Sequence, residues 1–249
     1  MFGRSKVAMV VAEFLGTGLL ALVMLSVQRS TIGIPYFVAI AGGLAVAALM
    51  YVFGAVSGGH FNPAVTIGLW SARRVKTLPA VVYLVAQLLG GWAAYGVYTY
   101  FVNSSLQKLG GHFTWRVFLA EAVGGLILAL VWAAVAVQRW AVSVAGVGFT
   151  LAVIVAAAAS IGLVNPAVAI SARAWEVFSS TGWLTYALGP VVGAVVGFNL
   201  YTYLFAGAEV AAVGAGAAAA VAASPARAAS TRGTSARRTT RKTTTRRKK

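Results

Sequence analysis

Long uninterrupted apolar runs dominate the chain, separated by short polar breaks. A helix needs roughly 20 apolar residues to cross the ~30 Å hydrocarbon core of a bilayer. Six runs are of about that length, at 7–27, 36–56, 78–102, 117–137, 142–159 and 183–206. They are continuous rather than alternating, which argues against the period-two strands of a membrane barrel. The first run follows only six residues, too few for the charged start of a cleaved leader, and it carries Glu13. It is therefore expected to remain as a span.

Two shorter apolar stretches, 61–71 and 164–175, follow the second and fifth runs. Each is long enough for about half a crossing at ~1.5 Å per residue. Each opens on Asn-Pro-Ala, as Asn62-Pro63-Ala64 and Asn165-Pro166-Ala167. Asn is a strong N-cap and Pro is favoured at the first helical position, so two short helices are predicted to start there. Neither has the charged face of a surface helix, which favours two re-entrant half-helices. A pair of amphipathic surface helices is the alternative.

The halves of the chain repeat. Gly43, Asn62-Pro63-Ala64-Val65, Gly90 and Tyr98-Thr99-Tyr100 recur at an offset of 103 as Gly146, Asn165-Pro166-Ala167-Val168, Gly193 and Tyr201-Thr202-Tyr203. Ala12-Glu13 recurs as Ala120-Glu121 at an offset of 108. Each copy (about 7–102 and 117–206) holds three spans, an odd number, so the second copy enters the membrane from the opposite side. Inverted repeats of this kind place binding or conduction sites near the midplane, where broken helices meet. The two Asn-Pro-Ala starts are thus predicted to converge there. Two helix N-termini would then face one point, each carrying roughly half a positive charge. Cations would be repelled, while the Asn62 and Asn165 amides would offer donors to a passing water or hydroxyl.

Composition narrows the class. Of 249 residues, 60% are hydrophobic and 10% charged, with a mean hydropathy of +0.84. Soluble domains carry about 25% charged residues. Cysteine is absent, which excludes disulfides and thiolate chemistry. Two His and four Glu, with no Asp, supply no metal or cofactor constellation and no nucleophile–base pair, so neither an enzyme nor a metal site is expected. Glu13 and Glu121 lie deep within the first and fourth spans. A proton relay is one reading of such residues. Their symmetric placement favours the other, in which each carboxylate accepts backbone N–H groups from the re-entrant loop of its own repeat. His60 is expected at the cytoplasmic vestibule as a hydrogen-bonded loop residue. Glycines such as Gly16, Gly18, Gly124 and Gly125 suit close helix contact.

The net charge of +16 divides in two. With the N-terminus inside, Arg4, Lys6, Arg73, Arg74, Lys76 and Arg139 fall on inner segments, against Arg29, Lys108, Arg116 and Arg173 outside. The positive-inside bias then places both termini in the cytoplasm. The other ten basic residues lie in 224–249, which has no acid and no aromatic residue. This segment is expected to be a disordered cytoplasmic tail, joined by an Ala/Gly linker at 207–223 to the membrane unit at 1–206. Beside an inner leaflet it would contact anionic lipid rather than nucleic acid.

The segment Ser57-Gly58-Gly59-His60-Phe61-Asn62-Pro63-Ala64-Val65-Thr66, the second Asn-Pro-Ala box and the repeated Ala-Glu together resemble the aquaporin, or major intrinsic protein, family over about residues 7–205. The resemblance implies an all-α membrane protein, a right-handed bundle of six transmembrane helices plus two half-helices. It also implies a homotetramer in a prokaryotic-type cell membrane, each subunit passing water or small neutral solutes such as glycerol. One departure matters. The family usually has Arg after its second box as part of an outer constriction, and here Val168 stands there. The remaining constriction positions fall near Gly42, Val155 and Gly162, a small and apolar set that predicts a wider outer pore. Arg173 is similar to the glycerol-conducting branch, but Ala169 stands where that branch has Asp. The competing classes are an inverted-repeat secondary transporter and a non-conducting structural member of the family.

Overall fold

The computed structural model describes residues 4–30, 34–107, 113–173 and 184–205. The expectations for Lys108, the linker 207–223 and the tail 224–249 lie outside the described residues. Among the described residues there is no strand.

The helices are α1 (Arg4–Gln28), α2 (Pro35–Ser57), α3 (Pro63–Ser71), α4 (Thr77–Val102), α5 (Trp115–Gln138), α6 (Val144–Ala156), α7 (Pro166–Ser171) and α8 (Gly189–Leu200). Single π-helical turns, Leu184–Leu188 and Tyr201–Phe205, flank α8 and extend it to spanning length. The wide turn before α8 has a local cause. Pro190 has no N–H to donate and its ring crowds the carbonyl one turn back, so the α-helical ladder cannot pass through it unchanged.

The predicted spans at 7–27, 36–56, 78–102, 117–137 and 183–206 match helices long and apolar enough to cross a membrane. The fifth predicted span differs. It is helical only over the 13 residues of α6, about 20 Å at 1.5 Å per residue. The reason lies at its end. In the first repeat, α2 runs on to Ser57 because Gly58 adopts φ 92 and caps it, its N–H donating to the Gly54 carbonyl. At the matching position of the second repeat stands Ile161, whose branched side chain makes such a left-handed cap costly. The chain leaves the helix at Ala156 instead.

The half-helices also differ in length: α3 has nine residues and α7 six. Both end on Ser-Ala-Arg, and Arg73 and Arg173 both break the helix at φ 59. So α7 stops at Ser171, short of the predicted 175.

Packing follows the duplication. Within each repeat the first span pairs with the third, α1 with α4 and α5 with α8. Across the repeats α2 packs on α6, while α3 packs on α8 and α7 on α4. Each half-helix thus rests on the last span of the other copy. The α2–α6 crossing is set by Gly43 and Gly146. A Cβ at Gly43 would lie 2.6 Å from the Gly146 carbonyl, and a Cβ at Gly146 would overlap the Gly43 carbonyl. The core between the spans is apolar, with Leu20, Met24, Leu25, Leu128, Phe149 and Phe198 buried. The outer faces are apolar too, as in Leu44, Trp92 and Tyr100, the pattern expected where the surrounding solvent is hydrocarbon.

Candidate functional site where the half-helices meet

Asn62 caps α3 from an extended backbone, its Oδ1 accepting the Ala64 N–H at 2.8 Å. Asn165 caps α7 in the same way, accepting from Ala167 at 3.0 Å and from Val168 at 3.4 Å. Pro63 and Pro166 open the two helices, where a missing N–H costs nothing. The amide nitrogens then cross between the repeats. Asn62 Nδ2 donates to the Val164 carbonyl at 2.9 Å, and Asn165 Nδ2 donates to the Phe61 carbonyl at 3.0 Å. Each acceptor is the residue just before the other Asn. This reciprocal pair fixes the two helix starts against each other. An amide NH₂ has two N–H groups, so this pair uses one on each Asn.

The carbonyls reach across because Phe61 and Val164 lie in the left-handed region, at φ 48 and φ 49. For a β-branched Val this is a true outlier, and such strain costs on the order of 1–3 kcal/mol per residue. The buried glutamates hold it in place. Glu13 Oε2 accepts the Phe61 N–H at 2.8 Å, while Oε1 accepts His60 N–H at 3.0 Å and Ser57 Oγ at 2.6 Å. Glu121 repeats the pattern, with Val164 N–H at 2.7 Å on Oε2 and Leu163 N–H at 3.0 Å and Ser160 Oγ at 2.6 Å on Oε1. Both carboxylates are fully buried and receive donors from their own re-entrant loops.

A polar chain joins the first repeat alone. Gln87 Nε2 donates to Glu13 Oε2 and to Thr66 Oγ1, each at 2.8 Å, and Thr66 Oγ1 lies 3.0 Å from His60 Nδ1. His60 is buried and meets the Tyr83 ring edge-on. Tyr83 in turn donates to the Ser57 carbonyl at 2.8 Å. The sequence alone assigns no role to the side chains of Ser57, Ser160, Thr66 and Tyr83. The signal was present for three of them, since Ser57/Ser160 and Tyr83/Tyr186 keep the offset of 103.

The outer positions are only partly brought together. Val168 is buried at the first turn of α7. A Cβ at Gly162 would lie 2.9 Å from the Val153 carbonyl, and one at Gly42 would lie 2.7 Å from the Phe149 ring. Val155 differs from Val168 in exposure. It is 39% exposed on the same stripe of α6 as Val147 and Leu151, while Val153 is fully buried. Two residues along a helix turn the side chain by about 200°, so Val153 and Val155 face opposite sides of α6.

Paired half-helices, reciprocal caps and two inverted copies define an integral membrane protein whose broken helices meet within the bundle. The family model of the major intrinsic proteins matches residues 4–201, and the chain belongs to that family. It is 34% identical over 191 residues to Aquaporin AqpM of Methanothermobacter thermautotrophicus, covering 67% of this chain and 76% of that one. It is 30% identical over 201 residues to Glycerol uptake facilitator protein-like 6 of Lactiplantibacillus plantarum, covering 74% and 92%. The fold resembles that of the aquaglyceroporin from Plasmodium falciparum, with a TM-score of 0.65 at 24% identity over 80% of this chain and 96% of that chain.

Proposed function

We propose that this protein is a passive channel for water and small neutral solutes, glycerol among them. The observation that carries the reading is the reciprocal bonding of Asn62 and Asn165 across the repeats. It leaves one amide N–H on each Asn for a passing hydroxyl, at a point faced by two helix N-termini. The positive ends of α3 and α7 disfavour any cation there, hydronium included. A water or polyol accepts from the two amides and donates to backbone carbonyls of the unwound loops 58–61 and 161–164. The relatives named as an aquaporin and as a glycerol uptake facilitator support the same class of permeant.

Gly42, Gly162 and Val168, with Val153 in place of Val155, form the outer constriction in this reading. All four are small or apolar, so solutes larger than water pass. The working unit is 1–206, assembled as a homotetramer with both termini cytoplasmic, and the 224–249 tail lies on anionic lipid. Stopped-flow swelling of proteoliposomes tests the permeant: fast entry of both water and glycerol is expected, and fast water flux without glycerol entry removes glycerol from the reading. Val168→Arg narrows the outer constriction, so glycerol flux falls while water flux persists. Deleting 224–249 leaves both fluxes unchanged.

A further inference from the structure

Outside the meeting point of the half-helices, the most unusual polar arrangement lies at the outer ends of α1 and α7. Arg29 follows the last residue of α1 and Arg173 follows the cap of α7. Both reach the same segment after α4. Arg29 Nη2 donates to the Gln107 carbonyl at 2.6 Å, and Arg173 Nη1 donates to the Leu106 carbonyl. The two guanidiniums thus occupy consecutive carbonyls. Leu106 between them is buried, as is nearby Tyr98. Arg29 Nε is buried without a hydrogen-bond partner. Burial draws the Arg29 guanidinium below its ordinary value; Tyr98 opposes this and the like charge of Arg173 adds to it. Two cations are therefore held close together at some cost, each with one of these carbonyls as a partner.

Arg173 lies eight residues beyond Asn165, just past the cap that ends α7. No other cationic side chain stands between them on that half-helix. A carbonyl pair at such a mouth is a cation acceptor if left open, because carbonyl oxygens replace a cation's hydration. We propose that the Leu106 and Gln107 carbonyls form an outer cation-binding site which Arg29 and Arg173 keep filled, making these two arginines the residues that deny the outer mouth to external cations. The inference rests on the channel reading for its functional meaning, but not for its binding chemistry.

The test uses the full chain, with guanidinium ion as the probe. In proteoliposomes, water flux through the wild type is expected to be indifferent to ~10 mM external guanidinium. Through Arg29→Ala/Arg173→Ala it should be roughly halved at that concentration, the affinity expected of two exposed carbonyl hydrogen bonds. Arg29→Lys/Arg173→Lys keeps a cation on each carbonyl and should resist block, whereas arginines acting only as loop staples would give no such split. Each single Ala variant frees one carbonyl and should show weaker block. Thermal unfolding in detergent with and without ~10 mM guanidinium supplies a flux-independent readout: the double Ala variant should gain stability and the wild type should not. A double Ala variant whose flux and unfolding both ignore guanidinium overturns the proposal. Binding seen in unfolding, with no water flux in any form, overturns the channel reading instead.

Discussion

The two repeats share a scaffold but not its lining. Ser57, Glu13 and Asn62 in the first copy do the same structural work as Ser160, Glu121 and Asn165 in the second. Around that shared frame the side chains diverge. His60, Thr66 and Gln87 form a buried polar chain, while Leu163, Ala169 and Pro190 stand at the positions 103 residues on. The first loop is thus tied to α4 through Gln87 as well as through Tyr83, whereas the second has no counterpart to Gln87 and, among the described residues, meets only Tyr186 on that side. The lesson is that inversion symmetry constrains the backbone that aims the two Asn residues. It leaves the walls beside them free to differ, and with them the polarity of the path on each side of the midpoint.

The sharpest way to break the comparison is to remove the glutamates one at a time. Glu121→Ala strands the Leu163 and Val164 N–H groups in a buried loop whose Val164 is already strained, and leaves the Ser160 hydroxyl only the Ala156 carbonyl. Buried unpaired donors cost about 1–3 kcal/mol each, so a loss of ~3–5 kcal/mol is expected in thermal unfolding in detergent. Glu13→Ala should cost a similar amount, because it strands His60, Phe61 and Ser57 in the same way. Near wild-type stability in either variant would mean that its loop is held by something other than the carboxylate.

Next in size are the helix contacts. Gly90 and Gly193 occupy matching positions on α4 and α8. A Cβ at Gly90 would overlap the Phe14 carbonyl of α1, and one at Gly193 would overlap the Ala122 carbonyl of α5. Neither neighbour is a side chain that can swing away. Gly90→Ala and Gly193→Ala should therefore each lose about 1–3 kcal/mol. Unequal losses in unfolding would show that one repeat packs its outer pair more loosely than the other.

How far the sequence foretold this arrangement depends on the range of each interaction. The caps were legible because Asn and Pro act within a turn of where they stand, so Asn62-Pro63 and Asn165-Pro166 announce two helix starts. The spans were legible from apolar run length, and the pairing of Glu13 with Glu121 from the repeat. The early end of α6 was not, because it turns on one substitution within the repeat, Ile161 where Gly58 caps α2. The choice between Val153 and Val155 was not legible for a related reason: loop counting carries an error of one or two residues, and on a helix that error exchanges the buried face for the exposed one. The bonds of Arg29 and Arg173 to the segment after α4 were invisible, since they span 78 and 67 residues and end on backbone carbonyls that carry no residue signature.

A smaller effect isolates the lining. Gln87→Leu removes the donor that Glu13 Oε2 and Thr66 Oγ1 both use, but leaves the backbone donors to Glu13 in place. About 1–2 kcal/mol should be lost. Pro190→Ala, the matching change in the second repeat, touches no such network. A Gln87→Leu loss as large as that of Glu13→Ala would mean the lateral tie, not the carboxylate, holds the first loop.

The smallest predicted effect has opposite signs in the two copies. Gly96 on α4 corresponds to Asn199 on α8. Asn199 Nδ2 reaches Ser71 Oγ of α3 and the Val195 carbonyl, each at 2.8 Å, tying the first half-helix to the last span. Gly96 has nothing within 4 Å of where its Cβ would stand. A Gly in a helix interior costs roughly 0.5–1 kcal/mol relative to Ala through lost backbone freedom. So Gly96→Ala should raise the unfolding midpoint slightly. Asn199→Ala should lower it, by about 1 kcal/mol for the lost hydrogen bond. Equal shifts of the same sign would mean the Asn199–Ser71 bond contributes nothing, and that α3 is held on α8 by its apolar face alone.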